Sequence, residues 1–145
     1  MIRKILFLLV ITATISCNKP DPNTFIDKIG GYWEIKKVIT AQGIIKEYNY
    51  NSTIDFIEVK NNTGIRKKLK PQLNGTFIST KDAESFTLTI AQDSLRIYYK
   101  TPLATWKETV ISAKEEEMII QNEAGNRYFY SPYKKIDITD GQTTQ

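Results

Sequence analysis

From Tyr32 to Tyr130 the chain consists of short runs of β-branched and aromatic residues, separated by Asn, Asp, Gly and Pro at near-regular intervals. That spacing does not suit amphipathic helices, whose apolar residues recur with a period of about 3.6, and it predicts an all-β fold. The clearest stretch sets Phe86, Leu88 and Ile90 against Ser85, Thr87 and Thr89, as in a strand with one dry and one wet face. Leu95, Ile97 and Tyr99 repeat the pattern after a turn at Gln92-Asp93-Ser94. The remaining strands read as Tyr32 to Thr40, Ser52 to Lys60, Ile65 to Lys70, Thr76 to Ile78, Thr105 to Ala113, Met118 to Ile120 and Arg127 to Tyr130. Mixed parity between Ile54 and Val59 implies a bulge near Phe56 or burial on both faces. Asn61-Asn62-Thr63-Gly64 reads as a hairpin turn, because Asn and Gly accept positive φ. Before the first strand, Phe25 to Ile29 suits one helical turn, which Gly30-Gly31 ends. Eight or nine strands with short links predict an antiparallel up-and-down meander that closes as a barrel or sandwich.

The 145 residues suit one domain. They contain no His, which removes the Ser-His-Asp triad, the Cys-His dyad and His-bearing zinc sites. A single Cys closes no intramolecular disulfide. There is no glycine-rich phosphate loop, and Glu115-Glu116-Glu117 lacks the spacing of a calcium loop, so neither a cofactor nor a metal is expected. The formal charge of +4 falls to +2 without Arg3 and Lys4, too even a balance for a nucleic-acid binder. The one dense basic run, Arg66-Lys67-Lys68 with Lys70, reads as a solvated strand edge rather than a polyanion site.

Residues 1–16 have the three parts of a secretory signal: basic Arg3 and Lys4, an apolar stretch from Ile5 to Ile15, and small Ser16. The apolar stretch falls short of the ~20 residues that span a bilayer. Cys17 stands at the expected cleavage point, and Thr14-Ile15-Ser16 before it resembles the lipobox of bacterial lipoproteins. That resemblance implies cleavage before Cys17, a diacylglyceryl thioether on its sulfur and an acylated amino group. Two or three chains anchor firmly, since each buried CH₂ contributes ~0.8 kcal/mol. Residues 17–24 then form the lipidated cysteine and a polar tether that contains Pro20 and Pro22. Asn18 stands where the enterobacterial pattern places an Asp for inner-membrane retention, which points to the outer membrane and leaves its periplasmic or surface face open. Cleavage leaves 129 residues, with the domain at 25–134 and a polar, disordered tail at 135–145.

Gly31-Tyr32-Trp33, which opens the first strand after a helical turn, resembles the Gly-x-Trp start of lipocalins. Further on, Trp106, Glu108 and Ile111 precede a charged turn, followed by Met118-Ile119-Ile120-Gln121-Asn122, Gly125 and Tyr128-Phe129-Tyr130. Together these are similar to the short lipocalin-like lipoproteins of Bacteroidota, over Ile29 to Lys134. The resemblance implies a lipocalin-like barrel plugged at its closed end by Trp33, with Arg127 as the basic residue packed over the indole. It also implies a non-enzymatic module for a small apolar or amphipathic ligand, held in a barrel of about eight strands. Phe86, Leu88, Ile90, Leu95, Ile97, Tyr99 and Trp106 would then be cavity wall or core.

Glu108 shares its parity with Trp106 and Val110. In the interior it would act as a general base, hold a ligand's cationic group, or pair with Arg127 or Arg96; if Thr109 and Ile111 are the inner set, it faces solvent. Asp93-Ser94-Leu95 resembles the O-glycosylation pattern of exported Bacteroidota proteins, which would place a glycan on Ser94; a tight turn accounts equally for Asp93-Ser94. Two functions compete. A lipid-anchored, monomeric carrier requires an apolar cavity of ~300 Å³ or more. A filled barrel would instead dock an envelope protein through Tyr48, Tyr50 and Tyr98. An enzyme, third, would need a cleft where Glu108 meets Tyr and Lys groups.

Overall fold

The computed structural model describes residues 19–135, without the side chains of residues 80–82. The signal segment, Cys17 and the tail from residue 136 lie outside the described residues. A short helix α1 (Asn23–Ile26) takes in the end of the expected tether and precedes nine strands: β1 (Gly31–Ile39), β2 (Ile45–Glu47), β3 (Ile54–Lys60), β4 (Thr63–Pro71), β5 (Phe77–Ala91), β6 (Ser94–Lys100), β7 (Thr105–Ala113), β8 (Met118–Asn122) and β9 (Arg127–Pro132). Each strand from β3 onward pairs antiparallel with the next, β1 pairs with β3, and β9 returns to β1. The result is a closed antiparallel barrel of eight strands with β2 as an addition, the all-β architecture that the resemblance to lipocalins implies.

Two elements differ from the sequence reading. β2 lies along the far half of β1, where Lys37, Val38 and Ile39 face Glu47, Lys46 and Ile45. Its three residues are all exposed, so no burial pattern marks it. The runs read as separate strands at Thr76–Ile78 and Ser85–Ile90 are parts of the single 15-residue β5. The charged stretch between them carries no apolar alternation, and pairing with β4 holds it in the sheet, with an irregularity between Lys67 and Leu69.

One end of the barrel is sealed. The Trp33 indole Nε1 donates to the Ile29 carbonyl at 2.9 Å, and α1 packs against β6 and β7. Ile29, Leu95, Ile97, Met118 and Ile120 have no solvent exposure. Gly64 is required by close approach: a Cβ there would lie 2.3 Å from both the Phe86 ring and the Glu58 carbonyl. The mixed parity of β3 is explained by burial on both faces, with an unbroken register from Ile54↔Leu69 to Lys60↔Thr63. Asp55 and Ile57 point inward, while Ile54, of opposite parity, is also buried. Phe77, near the tip of the β4–β5 hairpin, stacks on Tyr32 on the outer face (5.1 Å between centroids, 16° between planes), and Tyr32 also meets Phe56.

Two expectations are corrected here. Arg127 lies across from Ile39, whereas Trp33 lies across from Pro132 at the other end of β9. Arg127 is exposed, its Nε donates to Gln121 Oε1 at 3.1 Å, and it does not reach the indole. Ile90 has the parity of Phe86 and Leu88 but is 40% exposed. β4 pairs with β5 only as far as Thr87, so Ile90 projects past the barrel end into an open cleft beside Asn23 and Ile26.

Candidate ligand-binding site

Above the apolar plug, the barrel interior carries a polar layer. Arg66 has inward parity on β4, between Ile65 and Lys67, and its rung neighbours are Ile57 and Glu84. Its Nη1 donates to Tyr99 OH at 3.2 Å and Glu108 Oε2 at 3.1 Å. Its Nη2 donates to Asp55 Oδ2 at 3.0 Å and Tyr130 OH at 2.8 Å. Tyr99 OH donates to the same Glu108 oxygen at 3.0 Å, and Lys68 Nζ reaches Asp55 Oδ1 at 2.6 Å from a side chain that is half exposed. Five strands thus contribute six residues, two of them from β4, to a network centred on one guanidinium.

Buried charges of this kind persist only when paired and hydrogen-bonded. Burial works against the Arg66 cation, and the oxygens of Tyr130, Tyr99, Asp55 and Glu108 outweigh it and hold it protonated. Burial alone would raise the Asp55 carboxyl; the charges of Arg66 and Lys68, with their hydrogen bonds, overcome it and leave Asp55 below its ordinary value. Burial pushes the Tyr130 phenol up to about 12 against the opposing charge of Arg66. Tyr99 is raised further by the same cause. Glu84 is raised chiefly by burial, with Arg66 and Lys68 opposing.

Beyond this layer the inward residues are only half buried: Ile35, Glu84, Trp106, Asn122 and Tyr128. The Trp106 ring stacks on Tyr99 at 4.8 Å and 10°, and Asn122 Nδ2 donates to Tyr128 OH at 3.0 Å. The barrel therefore has a packed lower half, a polar floor built around Arg66, and an aromatic upper half reached by solvent.

Of the residues singled out in the sequence, Phe86, Leu88, Leu95, Ile97 and Tyr99 are buried, and Trp33 lies at the sealed end. Trp106 and Glu108 come together with Tyr99 at the polar layer, and the partner of Glu108 is Arg66 rather than Arg127 or Arg96. Arg96 instead donates to Gln92 Oε1 at 2.7 Å. Ser94 closes a tight hairpin turn in which Gln92 and Asp93 both have positive φ. Arg66, Asp55, Tyr130 and Glu84 were missed. Reading Arg66 as a solvated edge residue follows from its three lysine neighbours and from its alternation with apolar Ile65 and Leu69, which locally marks the opposite face as the dry one. Cavities of about 490 Å³ exist as open grooves on the outer wall, one lined by Glu58, Lys60, Ile65, Thr87, Tyr98 and Lys100 among others.

The sequence model of the lipocalin-like domain matches residues 29–120, more than half of the chain. The chain belongs to the lipocalin-like domain family. No functionally curated protein matches it. Among solved structures it is similar to a lipocalin-like protein from Bacteroides uniformis, with 9% identity, a TM-score of 0.47, and coverage of 73% of this chain and 99% of that one. An uncharacterized protein from Bacteroides eggerthii gives 10% identity and a TM-score of 0.47 over 72% and 98%. Apocrustacyanin C1 gives 8% and 0.43 over 83% and 73%.

Proposed function

We propose that this protein is a lipid-anchored lipoprotein of the cell envelope, directed to the outer membrane, whose barrel binds a small amphipathic molecule without catalysing its conversion. The observation that carries the binding reading is the half-buried aromatic upper interior, with Trp106 and Tyr128 above the Arg66 layer. Apolar walls with a few fixed polar groups at one end are how small-molecule sites obtain both affinity and orientation. Such a site asks little of the lower barrel, which is free to be packed solid. The envelope reading rests on Arg3, Lys4, the Ile5 to Ile15 stretch and the lipobox-like residues before Cys17.

A second reading, a filled barrel that docks an envelope protein, is favoured by the packed lower half and by Tyr50, which is 81% exposed. Native mass spectrometry of the full-length product, extracted from its producing bacterium in mild detergent, separates the two. The expected result is a chain that begins at Cys17, carries two or three acyl chains, and holds a discrete non-covalent mass that is lost on denaturation. A chain retaining residues 1–16 would refute the lipoprotein reading. A bare barrel that also fails to take up an amphipathic fluorescent probe would refute the binding reading and leave the docking one.

A further inference from the structure

If the upper barrel takes a ligand, as read above, the atoms of the polar floor that are already paired decide which head groups it can meet. Both terminal nitrogens of Arg66 are committed, Nη1 to Tyr99 and Glu108, Nη2 to Asp55 and Tyr130. Asp55 is occupied on both oxygens, by Arg66 and by Lys68. A carboxylate or phosphate entering the upper barrel thus meets a cation whose terminal donors are already taken. Among the described side chains it also meets the field of Asp55, Glu84 and Glu108, three carboxylates against Arg66 and Lys68.

A hydrogen-bond donor meets the opposite situation. Glu108 receives Arg66 and Tyr99 on the same oxygen, Oε2, which leaves Oε1 as an acceptor. Glu84, on the rung beside Arg66, has no hydrogen bond or ion pair among the described residues, and its partial burial disfavours the charged carboxylate. Trp106 stands two residues before Glu108 on the same face of β7, stacked against Tyr99 and half buried. An aromatic face beside a carboxylate with a free oxygen attracts a cation through both the ring quadrupole and the charge.

We propose that the upper barrel selects amphiphiles with a cationic amine head, the ammonium lying between Trp106, Glu108 and Glu84 and the apolar tail running along Ile35 and Tyr128 toward the mouth. Three probes with one tail isolate the head: octylamine, 1-octanol and octanoate, titrated against the full chain in lipid nanodiscs with empty nanodiscs as the reference. Isothermal titration calorimetry reads binding in the parent and in every variant, Trp106→Leu included. Octylamine is expected to bind at least about tenfold more tightly than octanoate, as opposite charge and a cation–π contact together require. Glu84→Gln and Glu108→Gln, which keep side-chain size, should each shrink that ratio, and Trp106→Leu should weaken octylamine more than octanol. Octanoate binding as tightly as octylamine, or a ratio unchanged in both Gln variants, would overturn the head-group assignment while leaving a ligand site in place. Failure of all three probes to bind would overturn the site itself.

Discussion

Arg66 and Glu108, 42 positions apart and on strands that are not neighbours, meet across the barrel interior with Nη1 3.1 Å from Oε2. The guanidinium is anchored by four oxygens from four other strands, so its removal leaves two carboxylates facing each other in a desolvated layer. Arg66→Met is therefore expected to cost about 3–5 kcal/mol, the usual penalty for stripping one partner from a buried ion pair. Adding Asp55→Asn and Glu108→Gln to that variant should recover much of the loss. Denaturant midpoints read both. A single variant as stable as the parent would show that the layer contributes nothing to folding.

Acid should expose the role of Asp55. Its carboxyl lies below the ordinary 3.8 in the fold, so it takes up a proton more readily when unfolded. The stability it contributes is complete above the unfolded value and is lost as pH falls through the folded one. Stability measured from pH 6 downward should drop more steeply for the parent than for Asp55→Asn, and parallel curves would contradict the assignment.

Gly64 and Gly43 make a paired test of why glycine is present. At Gly64 a Cβ would strike the Phe86 ring and the Glu58 carbonyl, both at 2.3 Å, so Gly64→Ala should cost about 1–3 kcal/mol by overpacking. Gly43, at φ +84, has no atom within 4 Å of the added Cβ, and its replacement should cost only the backbone strain of about 1 kcal/mol. Thermal unfolding of the two variants checks the order.

Arg127→Ala should change stability by less than about 0.5 kcal/mol, because its contact is an exposed one with Gln121. Trp33→Phe should cost more, through loss of the buried bond to the Ile29 carbonyl, which is worth about 1 kcal/mol. The reverse order in chemical denaturation would restore the expected stacking of Arg127 on Trp33.

The fold was legible because alternation is a local property. Phe86 with Leu88, and Leu95 with Ile97 and Tyr99, announce their faces in consecutive residues, and the burial follows them. Ile90 obeys the same alternation and is half exposed, since where a barrel ends depends on how far the neighbouring strand extends. The polar layer was harder to read. Glu108 shares the parity of Trp106 and Val110, one of two inner sets the sequence leaves open, but its partner lies on β4 inside a run of lysines, and no local rule pairs residues across a barrel. Asp55 was hidden in the mixed parity of β3, which resolves only once Ile54 is seen buried beside Leu69 and Phe56 packed on Tyr32, on the face opposite to Asp55.

The measurement closest to the central claim, a ligand site in the upper barrel above the Arg66 layer, is tryptophan fluorescence in two single-tryptophan variants, Trp33→Phe and Trp106→Phe. Trp106 stands at the proposed site, and Trp33 is buried at the sealed end. Octylamine titrated into the Trp33→Phe protein should shift or quench the Trp106 emission saturably, and the Trp33 signal of the other variant should stay unchanged. An unresponsive Trp106, or a response confined to Trp33, would contradict a ligand site in the upper barrel.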